Sequence, residues 1–181
     1  MILGLDVSTS CIGYCLKEGE DIKAMHYIKF SSKKTLMEKA KIFEEWLTIL
    51  LSKNDVEEIY VEEPFLGFGK GMSSAKTITT LYSFNGIIQF ICYKATQKEV
   101  HLINVNRARK SLGIKTVTVK KCGIPIKEQV FNWVNNKLLY PWPKKVLKSG
   151  PRKGTEIIVA EARDMSDAWV IASAGQILIQ N

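Results

Sequence analysis

Soft metal ligands are scarce in this chain. Its only histidines are His26 and His101, and its four cysteines, Cys11, Cys15, Cys92 and Cys122, show no paired Cys-x-x-Cys spacing. A structural zinc site is therefore not expected. No apolar run approaches the roughly 18 residues that a membrane span needs. The opening Met1-Ile2-Leu3-Gly4-Leu5-Asp6 reaches an acid without a basic n-region, so it does not read as a signal peptide. Internal repeats and low-complexity tracts are missing as well. These absences predict a soluble, cytoplasmic protein without a membrane partner. Cys11 and Cys15 lie in an apolar stretch, read as core thiols, and suit a reducing cytosol.

What is present is ordinary globular composition: 46% hydrophobic and 24% charged residues over 181 positions argue against disorder and for one domain spanning 1–181. The net charge of +8 is unevenly placed. From Asn106 to Gly154 there are 13 Lys or Arg against the single acid Glu128, a balance of +12, while the remainder carries 13 basic and 17 acidic residues, a balance of −4. A solvated basic surface would account for some of this. A one-sided excess of this size is also the footprint of phosphate-backbone binding, in which each cation that meets a phosphate releases counterions.

Two branched-aliphatic runs, Ile2 to Val7 and Cys11 to Leu16, read as a hairpin, with a third strand at Ile22 to Phe30. Leu36, Ala40, Phe43, Trp46, Leu47, Leu50 and Leu51 recur at helical spacing with Lys39, Lys41, Glu44 and Glu45 opposite. Glu57 to Glu63 is a strand stopped by Pro64, and Gly67, Gly69 and Gly71 mark a loop. A helix from about Ser73 to Ala95, a strand from Val100 to Val105, a helix from Pro125 to Lys137, an irregular basic linker from Pro141 to Gly154 and a last helix from about Glu161 to Leu178 complete the order β-β-β-α-β-α-β-α-α. The pattern predicts an α/β fold: a five-stranded mixed sheet, three antiparallel opening strands and then parallel ones, with helices on both faces.

Four acids stand out. Asp6 ends an apolar strand, where a charge is costly unless a partner or metal offsets it. Glu62 and Glu63 end the fourth strand, and strand carboxyl ends are where ligands gather in open α/β sheets, so these acids converge with Asp6 if the two strands are parallel neighbours. Asp164 and Asp167 lie three residues apart at the start of an apolar helix, on one face. Helix capping alone would explain one of them. Together Asp6, Glu62, Asp164 and Asp167 form a set of hard oxygen ligands suited to Mg2+ or Mn2+. Two such ions would support phosphodiester hydrolysis.

Leu3-Gly4-Leu5-Asp6-Val7-Ser8-Thr9-Ser10 with Gly13-Tyr14, then Val61-Glu62-Glu63-Pro64-Phe65, then Asp164-Met165-Ser166-Asp167-Ala168 resemble, in order, the motifs of RuvC-type Holliday-junction resolvases. The resemblance covers nearly the whole chain, and its short opening loop looks most like the versions that bacteriophages carry. It implies a ribonuclease H-like fold, a homodimer, and an Mg2+-dependent endodeoxyribonuclease with two ions per active site that places paired nicks in branched DNA: four-way junctions, flaps or forks. On that pattern Asp6, Glu62, Asp164 and Asp167 would hold the metal, with Glu63 set aside. Lys110, in Arg107-Ala108-Arg109-Lys110, and Lys127, in Lys127-Glu128-Gln129-Val130, match basic elements beside the scissile phosphate. Phe65 falls where the family stacks an aromatic on bases, and Phe68 and Lys70 share its loop, although a loop aromatic is as often a core residue. Arg107, Arg109, Lys115, Lys120 and Lys121 would add DNA contacts. The longer segment between Gly113 and Lys127 and the longer basic linker depart from the family.

Other readings stay open at this point. Gly4-Leu5-Asp6-Val7-Ser8-Thr9-Ser10 also resembles the first phosphate loop of actin-like and sugar-kinase-like nucleotide-binding modules, which need a second related domain. A non-catalytic junction binder, or a ribonuclease H-like or transposase-like nuclease with another substrate, would share much of the pattern.

Overall fold

The computed structural model describes residues 1–64 and 74–179. Phe65, Phe68 and Lys70, with the glycines of their loop, lie outside the described residues. The chain opens with β1 (Ile2–Val7), β2 (Cys11–Glu18) and β3 (Asp21–Lys29), then α1 (Leu36–Leu51), β4 (Glu58–Glu62), α2 (Ala75–Thr96) and β5 (Val100–Ile103). These strands form one sheet in the order β3-β2-β1-β4-β5. The first three are antiparallel to one another, and β4 lies parallel to both β1 and β5. The predicted mixed sheet is what the chain builds.

Alternation along the central strands separates two cores. Leu3, Leu5 and Val7 of β1, with Ile59 and Val61 of β4, face α1 and α2 and pack on Phe43, Leu47, Phe84 and Ile88. Tyr60 and Cys15 face the other way, against α6 (Ala162–Ile179) and α5 (Ile126–Lys137). The period of two therefore turns Gly4 and Asp6 toward α6 as well. At Gly4 a side chain could not be accommodated, since an added Cβ would lie 2.5 Å from the Ala168 carbonyl oxygen. Gly13, paired with Asp6 across β1 and β2, meets the Asp164 carbonyl in the same manner. The two glycines let the last helix lie directly on the sheet.

Local signals explain several boundaries. Thr35 and Glu38 form a reciprocal capping box at the start of α1. The strand expected to run to Val105 stops at Ile103, because the Asn104 side chain accepts from the Asn106 and Arg107 amides and starts a short helix, α3 (Val105–Ser111). A four-residue helical turn, α4 (Val119–Cys122), is a further addition to the expected order. The linker expected to be irregular from Pro141 to Gly154 supplies β6 (Lys144–Val146), which forms a hairpin with β7 (Glu156–Ile158) just beyond it. Leu147 continues it, donating to the Thr155 carbonyl and accepting from the Gly154 amide. Among the described residues no helix is long and apolar enough to cross a membrane.

Candidate metal centre

The last β1–β4 pair is Leu5 with Val61, so Asp6 and Glu62 follow side by side at the carboxyl ends of parallel strands. Both point to the α6 face, close enough for the two carboxyls to influence each other's protonation. The first two turns of α6 deliver Asp164 and Asp167 to the same place, with Asp6 and Asp167 only 7% and 4% exposed. Neither helix carboxylate caps the helix. Instead the Lys127 ammonium, from the first turn of α5, stands 3.1 Å from Asp6 Oδ2, 2.5 Å from Asp164 Oδ1 and 3.3 Å from Asp167 Oδ2. Arg109 Nη2 approaches Asp167 Oδ1 at 3.8 Å, too far for a hydrogen bond.

This crowding shifts protonation in opposite directions. Burial raises the Asp6, Glu62 and Asp167 carboxyls above the ordinary range. Neighbouring acids add to the rise, and Lys127 opposes it at all three. Burial alone would lower the Lys127 ammonium, but Asp6, Asp167 and Asp164 outweigh it and hold the group well above its usual value. The centre is an acid cluster whose charge is partly offset from within, with Lys127 where the carboxylates converge.

The residues fit a hard divalent ion in kind. All four are carboxylates, and Asp167 Oδ1 is buried without a hydrogen-bond partner, as is Arg109 Nε. As the side chains stand, among the described residues no three acidic, histidine or cysteine groups are spaced to clasp an ion, because the ammonium occupies that space. The residues that would hold it are Asp6, Glu62, Asp164 and Asp167.

Other expected residues fall around this centre. Lys110 is exposed and, among the described residues, makes no ion pair with the acids, as is the case for Arg107, Lys115, Lys120 and Lys121. Arg109, Lys110 and Lys115 line a cleft of about 600 Å3 that shares Arg109 with the acid cluster. Glu63 points elsewhere and accepts from the Asn104 amide at 3.2 Å. The place beside Asp167 goes to Arg109, one residue from Lys110. A sequence signal existed: Val105, Ala108 and Leu112 mark the inward stripe of α3, and position 109 flanks it while 110 does not. Cys11 is buried, as expected of a core thiol, yet it lies close enough to Asp164 to feel its charge. Burial, then Asp164, pushes its thiol far above the ordinary range, so it offers no thiolate.

Sequence reasoning also misses Gln129. Its side-chain amide donates to the Val117 and Ile124 carbonyls, its carbonyl accepts from the Val117 amide, and together these bonds tie the 117–124 segment to the helix that carries Lys127.

No protein-family model matches the chain, and no curated protein sequence does. Solved structures are similar over almost its whole length and define the class of fold, that of RuvC, which is ribonuclease H-like. Thermus thermophilus RuvC in complex with a Holliday junction substrate has a TM-score of 0.64 at 16% identity, covering 99% of this chain and 94% of that one. A second Thermus thermophilus RuvC structure gives 0.60 at 18%, covering 99% and 95%. The yeast mitochondrial Holliday junction resolvase Ydc2 gives 0.51 at 15%, covering 96% and 76%.

Proposed function

We propose that this protein is a divalent-metal-dependent endodeoxyribonuclease that cuts branched DNA, with the four-way junction as its leading substrate. The observation that carries the reading is the convergence of Asp6, Glu62, Asp164 and Asp167 beside two cations, on the fold of proteins whose structures include a junction complex. A bound divalent ion would supply Lewis-acid activation of water and charge stabilisation at the scissile phosphate. The chain's own residues do the rest. The four carboxylates orient the ion site, Lys127 and Arg109 offset negative charge around the phosphate, and Lys110, Lys115, Lys120, Lys121 and Arg107 attract the backbone. As a homodimer, two such centres about a two-fold axis would nick matching strands. A place among the bacteriophage-type members of the family fits the short loop between β1 and β2.

Synthetic four-way, flapped and linear duplexes incubated with the protein in Mg2+ or Mn2+ test this. Paired symmetric nicks in the four-way junction, lost in Asp167→Asn, are the expected result. Absence of any metal-dependent cleavage by the wild type rejects the nuclease. Flaps and forks cut as readily as four-way junctions would make it a general debranching enzyme.

A further inference from the structure

At the end of α6 away from the acids, a second cationic site is built around Lys17. This residue pairs with Ile2 on the α6 face of the sheet and is 1% exposed. Asp6 pairs with Gly13, four positions along the same strands, so the two sites lie about 13 Å apart by strand rise. Lys17 Nζ donates to Ser173 Oγ at 3.1 Å and stands 5.8 Å from the centre of the Trp169 ring. Lys137, in the last turn of α5, brings its own Nζ to 5.8 Å from the same ring. Both ammonium groups line a cavity of about 260 Å3 with Glu20, Ser173 and Gln176.

This arrangement is unbalanced as it stands. An ammonium carries three donors, and Lys17 is given one neutral hydroxyl and an aromatic face. Among the described residues neither Lys17 nor Lys137 has a carboxylate within ion-pair distance, and Glu20 acts on Lys17 only at longer range. Buried cations are ordinarily paired, and burial of this one is opposed further by the like charge of Lys137. The Ser173 hydroxyl accepts from Lys17, which leaves its proton free to donate into the cavity. Donors from β2, α5 and α6 thus surround one space from several directions, which suits a tetrahedral anion better than a planar one.

We propose that this cavity binds an oxyanion of the phosphate class, held between Lys17 and Lys137 with Ser173 and Gln176 as further donors. Free phosphate and a backbone phosphate of DNA present the same chemistry, and the test separates them.

Lysine side-chain NMR of the whole protein in chelator, titrated with inorganic phosphate against chloride at equal ionic strength and separately with a short duplex, reads the site directly. Phosphate is expected to move the Lys17 and Lys137 ammonium signals together and saturably. Lys137→Gln, an exposed position that does not threaten the fold, should weaken binding about tenfold, the loss of one charge-assisted hydrogen bond. Lys17→Met should abolish it. If that variant does not fold, Lys137→Gln and Ser173→Ala carry the test. Movement with the duplex alone supports the site with DNA as the source of the anion. Failure of both ligands to move these two signals overturns the proposal, and so does unchanged affinity in Lys137→Gln.

Discussion

The single ammonium of Lys127 is shared by three carboxylates, and this makes its removal informative. Without it, the buried acids lose their counter-charge. Lys127→Met is expected to lose about 1–3 kcal/mol in chelator, a loss moderated by the partly exposed lysine stem. On the metal reading, Mg2+ should then raise its melting temperature more than it raises that of the wild type. Equal Mg2+ shifts in a thermal melt of the two proteins would contradict a shared position for ammonium and ion. Glu62 gives the opposite sign. Burial and the charges of Asp6 and Asp167 hold its carboxyl up, so its charged form costs stability at neutral pH, and stability from this group falls as pH rises. Glu62→Gln, which resembles the protonated acid, should raise the metal-free melting temperature at pH 7 while removing cleavage.

At this scale the acids were legible and their partners less so. Asp6 and Glu62 could be placed because a charge at the end of an apolar strand is costly. Lys127 sits at the head of the stripe formed by Val130, Phe131 and Val134, which turns it inward. The stripe of α3 favours Arg109 over Lys110 as the residue that flanks the core, but which acid it would meet depended on how that seven-residue helix docks.

Among the elements, α6 determines whether the site exists. Its close approach to β1 and β2 requires Gly4 and Gly13, so Gly13→Ala should push the Asp164 turn outward. The expected cost is about 2–3 kcal/mol of overpacking, read from urea midpoints, with cleavage abolished as well. A second bond at this end is pH-dependent. Arg163 donates two hydrogen bonds to Glu128, both 2.8 Å long, which join α6 to α5 and hold the Glu128 carboxyl below its ordinary range. A depressed carboxyl stabilises the fold above its unfolded value and loses that contribution as pH falls below about 4.5. Arg163→Met should therefore be less stable than wild type at pH 7, and the gap should shrink on acidification below that value. A gap that persists to pH 3 would assign the loss to the packing of Arg163 on the Phe131 ring instead.

The longer elements were readable because their periodicity extends over many residues, as in α1 from Leu36 to Leu51. The β6–β7 hairpin was not. Its strands have three residues each, β6 holds two lysines, and the pair lies among prolines and glycines, a composition that does not distinguish a short hairpin from a loop.

Across the molecule, the segregation of charge remains the broadest feature. The 106–154 segment holds +12 while the rest is acidic, and Gln129 fastens part of it to α5. If Lys115, Lys120 and Lys121 meet phosphates, replacing all three by Gln should lower the slope of log affinity against log salt by about 0.9 for each phosphate no longer neutralised. An unchanged slope in a fluorescence anisotropy titration would remove these lysines from the DNA surface.

The order of the elements has a consequence for biosynthesis. Asp6 leaves the ribosome in the first strand, and Asp164 and Asp167 in the last helix, which also covers the apolar face carrying Cys15 and Tyr60. A nascent chain has neither a cover on this face nor an assembled acid cluster until α6 has been made. Closure of that face and assembly of the acid cluster thus arrive together, so a product stopped short of α6 would be prone to aggregation and would lack the centre.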